Sequence, residues 1–217
     1  MTSNNLVRVR EPWKLEKEEK ARTHYLSPAQ DPLTISYFDV LPDIKADIDD
    51  LKALRDFYRR FAESCGVALI EAELCRLDGL KAIRSIVKSQ QPVIGSMYIG
   101  GYTLPFHDCS IVLRAQCMEK ANDKVGAREA AVKQRYAGRP DWEEDPYDPR
   151  YRGKYMRNQS DDVRYDADFP DHSLSKMRRY LAELPQQLDI DPAVKTLRPF
   201  VYDPNRVPPK PWWKFWG

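Results

Sequence analysis

No stretch of this 217-residue chain reaches the ~18 to 20 consecutive apolar residues that a membrane-spanning helix needs. Residues 1–20 lack the apolar segment and small-residue cleavage site of a secretory signal, so the expected location is cytoplasmic. The four cysteines, Cys65, Cys75, Cys109 and Cys117, are dispersed, with no C-x-x-C pair and no histidine at ligand spacing. A disulfide framework and a sequence-local metal site are thereby excluded, and the cysteines are expected as small buried hydrophobes. An excess of one charge is lacking too, because 35 Lys and Arg face 33 Asp and Glu, for a net charge of +2. Such a balance offers nothing specific to nucleic acid. No internal repeat is visible. The stretch 67–117 contains no catalytic, metal or phosphate motif, and no cofactor is expected.

What is present is periodicity. Residues 1–32 read as an extended leader: Glu16 to Arg22 is charged on every face, and Pro12, Pro28 and Pro32 interrupt the rest. Leu33 to Val40 then reads as a first strand, favoured by Ile35, Tyr37 and Phe38. Asp47, Asp49 and Asp50 suit the positive end of a helix, and Ile48, Leu51, Leu54, Tyr58, Phe61 and Cys65 recur at helical spacing up to Gly66.

Beyond Gly66 the period becomes two. Ala68, Ile70, Ala72 and Leu74 fall on one side, with Glu71 and Glu73 on the other, and Asp78-Gly79 predicts a hairpin turn. Further strands are expected at 80–87, 96–104 (bulged or weakened at Gly100-Gly101) and 109–118. A second helix follows at 126–136. A third begins at Ser173 with Leu174, Met177, Leu181, Leu184 and Leu188 as its stripe, and Pro185 should end or kink it.

Between these helices, 141–172 is an irregular excursion rich in acids and tyrosine. The 201–217 tail is proline-rich and closes on Trp212, Trp213, Phe215 and Trp216. The fold expected is α+β: one domain over 33–200, with an antiparallel meander of about five strands packed on helices, which are expected on one face.

The run Tyr102-Thr103-Leu104-Pro105-Phe106-His107-Asp108-Cys109-Ser110, continuing to Cys117, resembles the central strands of the PsbP/DcrB-like group. Gly126-Ala127-Arg128-Glu129 fits the turn that opens the following helix in that group. The resemblance covers about half of the chain. It implies an α/β sandwich that binds without chemistry, as photosystem accessory proteins, periplasmic lipoproteins and secretion chaperones do. No catalytic residue carries over.

His107, Asp108 and Cys109 bring three reactive side-chain types together, and a Cys–His pair can make a nucleophile. In a strand, however, neighbours oppose each other, and the structural reading prevails. Asp161, Asp162, Asp166, Asp168 and Asp171 lack EF-hand spacing and have Arg157 and Arg164 as competitors, so no metal is expected.

Tyr98, Tyr102 and Arg114 have the composition of interface anchors if they lie on an outward sheet face. Trp212, Trp213, Phe215 and Trp216 follow a polyproline-favouring run and have three destinations: a groove of the same molecule, a protein partner, or a membrane surface. These features lead to a non-enzymatic adaptor or chaperone-like protein that binds a protein partner through its sheet face and aromatic tail. The alternatives are an enzyme using His107, Asp108 and Cys109, or an immunity-like inhibitor acting through its acidic excursion.

Overall fold

The computed structural model describes residues 6–91, 95–119, 126–139 and 141–206. Seven strands form one antiparallel sheet: β2 (Lys14–Glu19), β3 (Arg22–Leu26), β4 (Pro32–Phe38), β5 (Ala68–Leu77), β6 (Leu80–Gln91), β7 (Gly95–Pro105) and β8 (Ser110–Met118). Their spatial order is β2-β3-β4-β8-β7-β6-β5. The expected five-strand sheet is present as β4 to β8, but the sheet is larger. The stretch 14–26, read as part of a leader, supplies two more strands. β2 is an exposed edge strand with charge on both faces, so it shows no alternation for a sequence to reveal. That charge discourages pairing with another chain. A further strand, β1 (Val7–Val9), pairs with β11 (Leu188–Ile190), and both bury their apolar residues in the main core.

Helices cover both faces, unequally, rather than the single face expected, because two helices each bury an apolar stripe on a different side of the sheet. Helix α1 (Leu51–Ser64) starts at Asp50, whose side chain accepts from Ala53 N–H at 3.0 Å. It buries Leu54, Tyr58 and Ala62 against Leu69, Ala72 and Ile83 of β5 and β6. Helix α3 (Ser173–Gln187) packs Leu174, Met177, Leu181 and Leu184 on the opposite face, against Ile86, Leu104, Ile111 and Leu113. Helix α2 (Ala127–Arg135) lies between them in sequence. None of the described helices is long and apolar enough to cross a membrane.

Three expectations change in the structure. The set Ala68, Ile70, Ala72 and Leu74 does not share a face, because a bulge between Leu69 and Glu71 shifts the register. Ile70 joins the core under α3, whereas Ala72 joins the core under α1. Pairing continues through Gly100 and Gly101 without a bulge. Those glycines serve close approach: a Cβ on Gly100 would stand 2.6 Å from Met177 Sδ, and one on Gly101 only 1.8 Å from the Leu113 carbonyl oxygen. Pro185 sits inside α3 rather than ending it. Its missing N–H would have served the Leu181 carbonyl one turn back, and the Tyr102 hydroxyl donates to that carbonyl instead. The Asp78-Gly79 turn forms as expected, with φ of +47° and +82°, the positive values of a primed hairpin.

The excursion is docked. Strands β9 (Glu143–Glu144) and β10 (Arg157–Asn158) pair, and two short 3₁₀ turns follow. Asp145 accepts two hydrogen bonds from Arg59, at 2.7 and 2.8 Å. The Tyr147 hydroxyl accepts from Ala72 N–H at 2.6 Å and so satisfies one donor of the edge strand β5. Tyr151 donates to Glu63 at 2.7 Å.

Candidate functional site

Antiparallel register decides which side chains share the α1 face: Ser85 and Val87 from β6, Ile99 and Thr103 from β7, and Val112 and Arg114 from β8. β4 and β3 extend this face with Thr34, Ser36 and Phe38, then Arg22 and His24. Because α1 covers only the β5–β6 side, a groove runs beside it over β7 and β8. Phe57 and Phe61 form its helix wall, and Val87, Ile99, Thr103 and Val112 form its floor. A second hollow, lined by Arg22, His24, Phe38 and Arg114, adjoins it through Val112.

Each hollow measures only about 60 Å³. Small-molecule sites need roughly 300–1,000 Å³, so the groove suits individual side chains of a polypeptide. The Arg114 guanidinium is held below its ordinary pKa by burial first, and then by Arg22 beside it. Of the expected anchors, Arg114 belongs to this face.

Tyr98 and Tyr102 do not. They are 2% and 4% exposed and point under α3, since they alternate with Ile99 and Thr103. Tyr98 donates to Asp161 at 3.2 Å, and burial pushes its pKa well above the ordinary value. Burial likewise lifts Tyr102 to about 12. Trp212, Trp213, Phe215 and Trp216 lie outside the described residues.

His107, Asp108 and Cys109 occupy the β7–β8 turn without forming a catalytic pair. Asp108 binds His107 Nδ1, Arg206 and Arg198 at 2.8, 2.7 and 2.5 Å. These partners, His107 foremost, hold its carboxyl well below the usual range. Cys109 is buried and hydrogen-bonded to Tyr37, and burial pushes its thiol up. Iodoacetamide near neutral pH should therefore modify exposed Cys65 first and leave Cys109 and Cys117 unmodified until unfolding, as read by peptide mass mapping.

The five acids considered for calcium are not gathered around a common centre. Asp161 takes Lys88 and Tyr98, Asp162 takes Arg164, Asp166 takes Arg128 and Arg178, and Asp168 takes Arg135. Sequence reasoning named Arg164 as a competitor for these acids but missed Lys88, Arg128 and Arg178. The signal was available: Lys88 continues the alternation of Ala82 and Ile86, and Arg128 lies four residues before Val132 on the buried stripe of α2.

Glu119 is a second buried anchor. It accepts from Ser96 N–H at 2.6 Å, from Gly126 N–H at 3.1 Å and from His172 Nε2 at 3.2 Å. His172 Nδ1 in turn accepts from Leu174 N–H at the start of α3, which places its proton on Nε2. Burial alone would raise the Glu119 carboxyl, but these donors bring it down to about 2. Because the folded value lies below the ordinary 4.5, this stabilisation is complete above that pH and is lost as pH falls through about 2. Glu119→Gln should accordingly lower the urea midpoint at pH 7, with the gap to the native protein narrowing steadily below pH 4.

A larger cleft of about 520 Å³ lies beside Lys88, Glu119, Glu129 and Lys154. Lys88 and Glu119 are already engaged internally, and residues 92–94 and 120–125, which flank the lining residues Gly95, Glu119 and Gly126 in sequence, lie outside the described residues.

No family model matches the chain, and no curated protein matches it in sequence. The resemblance of 102–117 and 126–129 to the PsbP/DcrB-like group is thus supported by no sequence comparison. A crystal structure from Bacteroides thetaiotaomicron VPI-5482 is similar over 53% of this chain, at 9% identity and a TM-score of 0.34. The matched region spans 38% of that protein.

Proposed function

We propose that this is a non-enzymatic binding protein that engages a segment of another protein with its open sheet face and the aromatic residues that follow Arg206. The observation that carries this reading is the groove itself. Phe57, Phe61, Val87 and Ile99 stay half-buried along a face that the described part of the excursion leaves uncovered, while Tyr147 caps one position of the β5 edge and charge guards the β2 edge. The charged β2 edge discourages strand addition there, which favours the face as the docking surface. Asp145, Asp161 and Asp166 of the excursion are engaged in internal ion pairs, which argues against an inhibitor acting through them.

The test is affinity capture from native lysate with the wild-type chain, Ile99→Arg and Phe61→Glu, followed by mass spectrometry. A stoichiometric protein present with wild type and lost with both variants is expected. The same capture by all three proteins would refute a role for the groove. Thermal unfolding of each variant separates lost binding from lost folding.

A further inference from the structure

We infer that the cavity between residues 41–45 and 200–206 binds a small organic cation, an ammonium or guanidinium on an apolar body, against the Asp43 carboxylate. This cavity measures about 380 Å³ and shares no lining residue with the groove beside α1. Its volume falls within the roughly 300–1,000 Å³ of small-molecule sites, where the hollows of the groove fall short. The inference goes beyond the function proposed above and does not depend on it.

Asp43 decides the chemistry. It lines the cavity and is only 8% exposed, yet its Oδ1 is buried with no hydrogen-bond partner. The other buried acids among the described residues are all served by donors. Asp31 accepts from Tyr180, Glu119 from Ser96 N–H, Asp145 from Arg59 and Asp161 from Lys88. Lys45, two residues on, is exposed and acts on Asp43 through space: burial lifts the carboxyl above its ordinary pKa, and the Lys45 charge opposes that rise. A buried acceptor without a donor is unfavourable, and the cavity is the route by which a guest N–H can relieve it.

The walls suit an apolar body that carries positive charge. Pro42 and Ile44 come from the first segment, and Phe200, Tyr202 and Pro204 from the second. Aromatic faces attract a cation through their quadrupole and give a neutral or anionic guest no such gain. The remaining charges of the second segment have structural work. Arg206 donates to the His107 carbonyl at 3.0 Å and to Asp108 at 2.7 Å, while Asp203 accepts from Asn205 N–H at 2.9 Å. Asp43 is thus the buried charge that the cavity offers a guest.

This second wall is also fixed in advance. His107 N–H donates to the Arg198 carbonyl at 2.9 Å and Phe106 bridges Pro199, so both ends of 198–206 are tied to the β7–β8 turn. A wall already ordered costs less to close on a ligand.

The test titrates butylammonium, phenethylammonium and butylguanidinium into the full chain, with phenethyl alcohol and phenylpropionate as neutral and anionic controls, and reads assigned amide shifts by NMR. Expected is saturable binding of at least one cation, with shifts at 41–45 and 200–205 and none that saturate with the controls. Asp43→Asn should weaken that cation about tenfold or more. Tyr202→Leu should weaken it about twofold to fivefold. Tyr202 is 38% exposed, so its variant keeps the test valid if Asp43→Asn fails to fold. Equal binding by either control, full affinity in the folded variants, or shifts confined to other residues would overturn the inference. So would no binding by any of the cations, the result expected if water alone serves Asp43.

Discussion

Arg128→Met should destabilise the protein by about 3–5 kcal/mol, the range for removing one partner of a buried charged network. The side chain is 1% exposed and donates to the Ser160 carbonyl at 2.6 Å, Asp166 at 2.9 Å, Ser175 at 2.8 Å and the Asp162 carbonyl at 2.8 Å. One guanidinium thus ties α2 to the 3₁₀ turns of the excursion and to the first turn of α3. Methionine matches much of its volume but takes from the Ser160 carbonyl its side-chain donor and from Asp166 one of its two arginines. Arg128→Lys should restore little, because an ammonium cannot reproduce the planar fork.

Total stability of ~5–15 kcal/mol makes the loss a large fraction of the whole. It should appear as a lower urea midpoint, with the excursion the first region to lose hydrogen-exchange protection. On the same helix Arg135 pairs with Asp168 at 3.4 Å, both more than half exposed. Arg135→Met should therefore change stability by at most ~1 kcal/mol. Equal effects of the two substitutions would refute a special role for the buried arginine.

Gly101→Ala carries the second large effect, about 3 kcal/mol or more, at the upper end of overpacking costs. The added Cβ would stand 1.8 Å from the Leu113 carbonyl oxygen and 2.9 Å from its carbon. Both are backbone atoms of the central strand β8, so relief requires moving β7 and β8 apart. The neighbouring Gly100→Ala meets Met177 Sδ at 2.6 Å and Cγ at 2.9 Å instead. A thioether side chain can rotate away, so that variant should lose only about 1 kcal/mol. Thermal unfolding of the two variants tests the contrast. The order should reverse if side-chain crowding, rather than backbone approach, explains why glycine occupies both positions.

Both predictions concern residues that the sequence displayed and did not explain. The turn at Gly126 to Glu129 stood out as a pattern, but that Arg128 is the buried centre of a network depends on residues 32 to 47 positions later in the chain. The five strands from β4 to β8, α1 with its start at Asp50, and the apolar stripe of α3 were legible because each is a local periodicity with its own start or stop signal. β2 was not, since an exposed edge strand has no buried face to impose alternation, and the five residues of β3, which do alternate at Thr23 and Tyr25, directly follow that charged run. Arg114 was legible as a surface residue of the sheet. Tyr98 and Tyr102 were misplaced because a period of two says that neighbours oppose each other, without saying which side a helix will cover.

Sequence alone determined the α+β class, the antiparallel meander, the Asp78-Gly79 hairpin and the absence of a local catalytic or metal motif, all of which follow from short-range spacing and turn chemistry. Tertiary structure decided the rest. The Leu69–Glu71 bulge sent Ile70 and Ala72 to different cores, the Tyr102 hydroxyl let α3 run through Pro185, and buried Lys88 and Arg128 turned an acidic excursion into a docked strap. The groove exists because α1 is too narrow to cover a seven-stranded sheet and α3 packs on the other side. Which face stays open depends on the balance of packing across the whole sheet, a quantity that no local window of sequence contains.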